Sequence, residues 1–234
     1  MTTVLQLGNP TTTTPAIPSR SSILPQSLRE QLIEAAIAPF SCTDEEYLNA
    51  CEQFYQRNRL IGAKEQQAWL KRCGMSQAEI QDVITRRIRL EKFKIATWGH
   101  QLDYYFRQRK RELDRVVYSC LKTKDLRMAL EFYLSLENEE QIFAELAREY
   151  STGSEAKFGG LIGPVELGTL SPMLAGLLRI SQSGQLWPPQ PFGEWQVIVR
   201  LEAFIPAQLD EPMRQRLLNE LFEAWLQERY RQLS

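Results

Sequence analysis

The chain has 234 residues, with a single histidine, His100, and four cysteines, Cys42, Cys51, Cys73 and Cys120. Nucleophilic chemistry of the Ser-His or Cys-His kind needs a base beside the nucleophile, and His100 is the one imidazole on offer. It sits in ATWGHQLDYYF, next to an aromatic helical segment, where packing or hydrogen bonding is the simpler role. The cysteines form no CxxC pair and no even framework, so they read as free thiols, and the inventory excludes a Cys/His zinc site. No cofactor is expected. The most informative stretch is EYSTGSEAKFGGLIGPVELGTLSP, residues 149–172. There a helix gives way to a loop of small residues, a Gly-Gly turn and a short apolar strand. A further glycine follows, and Ser-Pro then opens another helix. Gly159, Gly160 and Gly163 read as backbone requirements of the turn and strand.

Composition bounds the rest. At 43% hydrophobic and 24% charged residues the chain is an ordinary globular one, with material for one good core or two small ones. Its 28 Lys+Arg against 29 Asp+Glu give a net charge of -1, which points to neither nucleic acid nor anionic lipid. Basic residues do outnumber acidic ones over residues 86–115, notably in RQRKRELDR. That run reads either as an electrostatic docking face or as a solvated helix surface whose Lys and Arg stems cover apolar neighbours. A nucleic-acid binder would have only this local charge behind it. No apolar run approaches the roughly 20 residues needed to cross a bilayer, so no membrane insertion is expected. The first 20 residues lack the basic start and apolar stretch of a secretory signal, and the expectation is a cytoplasmic protein.

The elements that must position any site follow from periodicity. Residues 4–7 are apolar enough for one strand, and the Thr/Pro run over residues 11–18 reads as a loop. SLREQLIEAAIAPF places Leu28, Leu32, Ile33, Ala36 and Ile37 on one helical face. Thr43 and Glu46 stand at capping-box spacing, ahead of a face made by Tyr47, Leu48, Cys51, Phe54 and Tyr55. A shorter helix holds Trp69 and Leu70 and ends near Gly74. Ser76 and Glu79 make a second box, opening either one long helix or two helices broken near Gly99. At Arg115 the pattern changes: RVVYSCLKT is rich in β-formers and too short for a helix. Helices over residues 126–136 and 139–150 follow, the second expected to be capped by Asn138 with Gln141 in box position. Then come a short helix in SPMLAGLLRISQSGQL, the segment WPPQPFGEW and a closing strand in WQVIVRLEAF. The order β-α-α-β-α-β over about 90 residues makes a plausible small α+β domain. Past Pro206, Asp210 caps a last helix with Pro212 in its first turn. Met213, Leu217, Leu218, Leu221, Phe222, Trp225 and Leu226 form its apolar stripe, which needs burial against the N-terminal helices. The fold class expected is therefore α+β. A helical domain from residues 1–114 and 207–234 would carry the unit of residues 115–206 as an insert.

FAELAREYS, GGLIGPVELGTLSP and WQVIVRLE together resemble, in residue type, spacing and order, the parvulin family of peptidyl-prolyl isomerases over about residues 115–205. The flanking helices resemble the SurA-type chaperone arrangement, and the whole chain is similar to a cyanobacterial group of such proteins. The resemblance implies an enzyme that needs no nucleophile or metal. Amide resonance sets a barrier of about 18–20 kcal/mol to prolyl rotation. A parvulin lowers it by gripping the pyrrolidine ring in an apolar pocket while the preceding carbonyl turns. Carried over position by position, that pocket is Ile162, Leu170 and Leu174, where the family usually has Leu, Met and Phe, so the aromatic floor is lost. The polar set departs further. The family's first-strand histidine falls on Tyr118 and its acidic or cysteine position on Gly153. The closing-strand histidine falls on Gln196 or Val197, with the register open by one. Tyr118 and Gln196 are then the catalytic candidates, and Ile162, Leu170, Leu174, Gly153 and Val197 the substrate-binding ones. Tyr118, Leu170 and Leu174 also read as plain core. Losing such donors costs a few kcal/mol in a preorganised site, so a slow isomerase is expected. Its clients would be unfolded or extended proline-containing polypeptides. The other reading is a non-catalytic chaperone or adaptor, holding an extended chain or a secretion or assembly partner through the same groove.

Overall fold

The computed structural model describes residues 26–60 and 62–233. In chain order it runs α1 (Gln26–Ile37), α2 (Asp44–Arg57), α3 (Ala63–Cys73), α4 (Gln77–Trp98), α5 (Leu102–Leu113), β1 (Arg115–Thr123), α6 (Leu126–Glu137) and α7 (Phe143–Tyr150). It continues through β2 (Leu161–Glu166), α8 (Pro172–Ile180), β3 (Leu186–Phe192), β4 (Trp195–Ile205) and α9 (Glu211–Leu233). The strand expected over residues 4–7 and the loop over residues 11–18 lie outside the described residues. The chain is α+β and mostly helical. It divides into two compact units, one of residues 26–106 with 209–233 and one spanning Arg107–Gln208.

In the helical unit local rules operate as written in the sequence. Thr43 N donates to Glu46 Oε2 at 2.8 Å and Glu46 N to Thr43 Oγ1 at 3.3 Å. Ser76 and Glu79 repeat the box at 2.6 and 3.2 Å. Each box satisfies two backbone donors that a helix start otherwise leaves orphaned. Of the two alternatives for the long segment, the break is the one observed: α4 ends at Trp98, and a 3-10 turn over Gly99–Gln101 carries an exposed His100. Asp210 caps α9 by accepting from Met213 N at 2.9 Å. The α9 stripe is buried through Leu217, Leu218, Phe222 and Leu226, and α9 packs on α1 and α4. Phe93, Trp98, Phe222 and Trp225 form one aromatic cluster, with Phe93 edge-on to Trp98 at 5.4 Å and to Trp225 at 5.2 Å. Lys94 is buried within this unit, donating to Asn219 at 2.6 Å and Glu91 at 2.8 Å. Among the described residues no helix is long and apolar enough to cross a membrane.

The second unit is built on a four-stranded antiparallel sheet in the order β2-β1-β4-β3. β1 and β4 pair from Arg115↔Ile205 to Thr123↔Gln196, with one irregularity between Val117 and Tyr118. Because side chains alternate across a strand, this pairing sorts residues between two faces. Val116, Tyr118 and Cys120 of β1 share a face with Val197, Val199 and Leu201 of β4, covered by Ala175 and Leu178 of α8. Leu121 and Ile198 point the other way, under Phe132 of α6 and Phe143, Leu146 and Ala147 of α7.

Two elements differ from expectation. WPPQPFGEW forms β3 and the turn into β4, although its prolines argue against a strand. β3 is an edge strand bonded only to β4, and its ladder is irregular between Trp187 and Gln190, where Pro188 and Pro189 lie. A missing N–H costs little on the outer side of an edge. Asn138 does not cap α7. It closes α6 instead, and α7 starts at Phe143 from Ile142 with no side-chain cap. Glu139, at φ 56°, turns the chain between the two helices, so the capping spacing around Asn138 is never used. Two glycines permit the close approach of β2 to β1. Gly160 (φ 79°) and Gly163 (φ 122°) would carry a Cβ at 2.7 Å from the Cys120 carbonyl oxygen and 2.5 Å from that of Val116, respectively.

Asp114 closes the open end of the sheet. It is buried, its Oδ1 accepts from Ala207 N at 2.7 Å and Lys110 Nζ at 2.8 Å, and its carbonyl accepts from Leu167 N at 2.8 Å. Removing this acceptor leaves a backbone N–H unpaired where β4 ends. Asp114→Ala is expected to cost about 2 kcal/mol of unfolding free energy, measured by urea denaturation, with Asp114→Asn losing less.

Candidate functional site

The face of the sheet under α8 is where the candidate residues meet. Tyr118 stands opposite Ile162 on β2 and opposite Leu201 on β4. It is only 5% exposed, yet its hydroxyl has no hydrogen-bond partner among the described residues. Ile162, Leu170 and Leu174 pack on the same cluster and remain half-buried, so they form an apolar wall that solvent still reaches. Leu170 closes a 3-10 turn over Leu167–Thr169, and Leu174 lies in the first turn of α8, where Leu174 N donates to Ser171 Oγ at 3.4 Å. Pro172 fills the first position of that helix, where no amide donor is needed. The wall is therefore set by one cap, one turn and one strand pairing.

Along the same face, β1 continues from Tyr118 through Cys120 to Lys122, about 13 Å along the strand. Lys122 lies opposite Val197, and Cys120 opposite Val199. Beyond them Phe192 and Trp195 pack on the cluster, with Lys124 Nζ 4.7 Å from the Trp195 ring centroid and 2.8 Å from Glu194. Between these ends a buried carboxylate reaches the face from the loop after α7. Glu155 Oε1 accepts from Ser151 Oγ at 2.8 Å, and Oε2 lies 3.5 Å from Lys122 Nζ. Ser151 Oγ in turn accepts from Lys122 N at 3.1 Å, and Thr152 N donates to the Lys122 carbonyl at 3.3 Å. The end of α7, the loop and the middle of β1 are thus tied at one point.

The residues singled out from the sequence fall into two groups. Tyr118, Ile162, Leu170, Leu174 and Val197 are brought together on one face. Gln196 pairs with Thr123 and alternates onto the opposite face, the side of Ile198 and of Arg200, whose guanidinium lies 5.3 Å from the Phe143 ring. Of the two registers open for the closing strand, the one that faces the apolar wall carries Val197. Gly153 lies in the loop beside Glu155 and presents no side chain. Sequence reasoning missed Lys122, Glu155, Phe192 and Trp195. For Trp195 the signal was present: it precedes Val197 by two in an alternating strand. For Glu155 there was none, because an acidic residue in a polar loop looks solvated. The aromatic component missing from Leu174 is present on this face, supplied from the β3–β4 hairpin.

Burial also sets the charge state of the face. It pushes the Tyr118 phenol well above the usual tyrosine range, with Cys120 and Glu155 adding to the effect. It pushes the Cys120 thiol up to about 12, Lys122 opposing and Glu155 reinforcing. Both groups are therefore neutral donors at any physiological pH, and Cys120 is a poor nucleophile. No group of residues fit to hold a metal ion occurs among the described residues.

Residues 122–202 match the family model described as Rotamase, the PPIC-type PPIASE domain. No curated protein matches the chain. Among solved structures it is similar to the peptidylprolyl isomerase PrsA of Bacillus anthracis, at 16% identity over 86% of this chain and 89% of that one, with a TM-score of 0.42. It is similar to the parvulin domain of PpiD from E. coli at 28% identity, over 42% of this chain and 95% of that one, with a TM-score of 0.36. It is also similar to a structure from work on the SurA-like chaperones PEB4 and Cj1289 of Campylobacter jejuni, at 13% identity over 88% and 89%, with a TM-score of 0.40.

Two measurements check this geometry. Tyr118→Phe should leave stability within about 1 kcal/mol of wild type, because the hydroxyl has no partner to lose, whereas Tyr118→Ala should cost about 3–5 kcal/mol. The second is the alkaline limb of stability. Tyr118 and Cys120 have folded pKa values raised above their unfolded values, so the unfolded chain loses these protons first. Stability should be intact below pH 9 and fall as pH rises from about 9 to 12, and Cys120→Ala should flatten the first part of that decline.

Proposed function

We propose, from the premise that residues 122–202 are a PPIC-type parvulin domain, that this protein is a peptidyl-prolyl cis-trans isomerase acting as a foldase on proline-containing polypeptides. The observation that carries the reading is the buried Tyr118 phenol, whose hydroxyl is unpartnered beside a half-exposed apolar wall. The prolyl nitrogen of a twisted client amide would accept a hydrogen bond from that hydroxyl.

The chemistry is rotation about one bond. The pyrrolidine ring of the client sits against Ile162, Leu170 and Leu174, where water is excluded from one side of the X–Pro bond. The carbonyl before the proline turns while Tyr118 donates to the peptide. In the planar amide, resonance draws electron density from nitrogen to oxygen, and in the twisted amide that density returns to nitrogen. Groups held in place that favour the second distribution lower the barrier, and those that merely bind the chain do not. The neutral phenol is a suitable donor because its raised pKa keeps its proton in place.

A second reading, client holding without turnover, rests on a different observation. A cavity of about 980 Å³ opens in the helical unit between α2, α4 and α9, lined in part by Phe54, Val83, Ile84, Ile88 and Ile95. Its apolar floor would suit an extended segment of an unfolded chain.

The test is exchange spectroscopy by NMR on a set of X–Pro peptides. Wild type is expected to accelerate cis-trans exchange, and Tyr118→Phe to reduce the acceleration by about tenfold or more with little change in peptide affinity. Leu170→Ala and Leu174→Ala should weaken binding as well as turnover. Peptide binding with no acceleration by wild type would leave the holding function alone.

A further inference from the structure

The backbone at Gly153 is extended, with φ -96° and ψ 177°, a conformation open to any residue. Yet a Cβ placed there would fall 2.1 to 2.5 Å from Oε2, Oε1 and Cδ of Glu155. The volume that a side chain at position 153 would fill is occupied by a carboxylate arriving from two residues further along. Glu155 is 5% exposed, held by Ser151 on one oxygen and facing Lys122 Nζ at 3.5 Å with the other. Taking a carboxylate out of water is costly, and here one hydroxyl donor and one ammonium offset that cost. A loop that needed only to be filled and bonded to Ser151 would be served as well by a neutral amide. The charge itself therefore has a use. It lies on the face that carries Tyr118 and Cys120, and its field reaches both groups.

We propose that Glu155 is a positioning residue of the isomerase groove, fixing the Lys122 ammonium so that the Lys122–Glu155 pair forms a preorganised dipole beside the client's X–Pro amide. This inference rests on the isomerase reading of the same site. When the amide twists, negative charge moves from its oxygen to its nitrogen. A fixed dipole with its ammonium toward the nitrogen and its carboxylate toward the oxygen stabilises the twisted state relative to the planar one. No bond is made or broken and no proton is transferred. Glu155 acts through Lys122, which has its ammonium at the accessible edge of the face, while the carboxylate remains behind it in the protein. The effect belongs to turnover and not to affinity, because the dipole discriminates between two charge distributions of the same bound peptide.

Glu155→Gln keeps the shape and the acceptor for Ser151 and removes the charge. In saturation exchange experiments it should lower the maximal exchange rate by about tenfold while the peptide Kd changes less than about twofold. Lys122→Met should do the same, and the double variant should be no worse than either alone, since both remove one dipole. Glu155→Ser with Gly153→Asp relocates the carboxylate to the side chain that the backbone already accommodates, and should recover most of the rate. If wild type accelerates exchange and Glu155→Gln and Lys122→Met match it within about twofold, the dipole is overturned and the isomerase stands. If wild type does not accelerate exchange, the isomerase reading fails, and a bound peptide with a 13C label on the carbonyl before proline decides the rest. A carbonyl shift that differs between wild type and Glu155→Gln keeps the charged pair in the groove, and an unchanged shift, or no binding, removes it.

Discussion

The pairing of β1 with β4 is the constraint on which the α+β unit depends. These are the two central strands, and their register decides which side chains meet α8 and which meet α6 and α7. A slip of one residue would exchange the two sets, because side chains alternate with a period of two. Leu121 and Ile198 would then leave the core under α7, and Tyr118 would leave the apolar wall. Both faces are packed with large apolar groups, so the cost of slipping is paid on two sides at once. Asp114 pins the same register from the end, bonding the segment after β4 and the turn that leads to α8.

On that frame the candidate groove is an arrangement of unlike parts. Its apolar wall comes from β2, a 3-10 turn and the start of α8, and its aromatic end from the β3–β4 hairpin. Its polar groups come from β1 and from the loop after α7. The two neutral donors, Tyr118 and Cys120, owe their protonation to burial, and burial is strongest where the sheet is most completely covered. The buried carboxylate on this face, Glu155, is held by groups from the end of α7 and from β1. Such an arrangement suits a reaction that needs shape and fixed charge and no bond to the protein.

The helical unit follows a simpler logic. Side chains cap the starts of α2, α4 and α9, α3 ends at Gly74 in the left-handed conformation, and α9 buries its apolar stripe on α1 and α4. The aromatic cluster of Phe93, Trp98, Phe222 and Trp225 fills the space between α4 and α9, and Lys94 is buried beside it through three partners: Glu91, Asn219 and the Phe222 ring.

What the sequence determined by itself is what depends on neighbours within a few residues. The capping boxes at Thr43 and Ser76, the Ser171–Pro172 helix start and the glycine-led turn before β2 all act over four positions or fewer, and all were legible. So was the apolar stripe of α9, because a stripe that wide has to be buried. The parvulin resemblance was legible for the same reason, its motif being a string of local requirements. The tertiary structure decided the rest. Gln196 and Val197 are adjacent in the chain and lie on opposite faces, and only the pairing with Lys122 and Thr123 says which is which. Pro188 and Pro189 sit in a strand because that strand lies at an edge, a fact about its neighbours. Asn138 had the spacing of a cap and lost it to a turn at Glu139. Glu155 looks like a solvated loop residue until the fold buries it against Lys122, because desolvation is a property of everything packed around a group and cannot be read from its place in the chain.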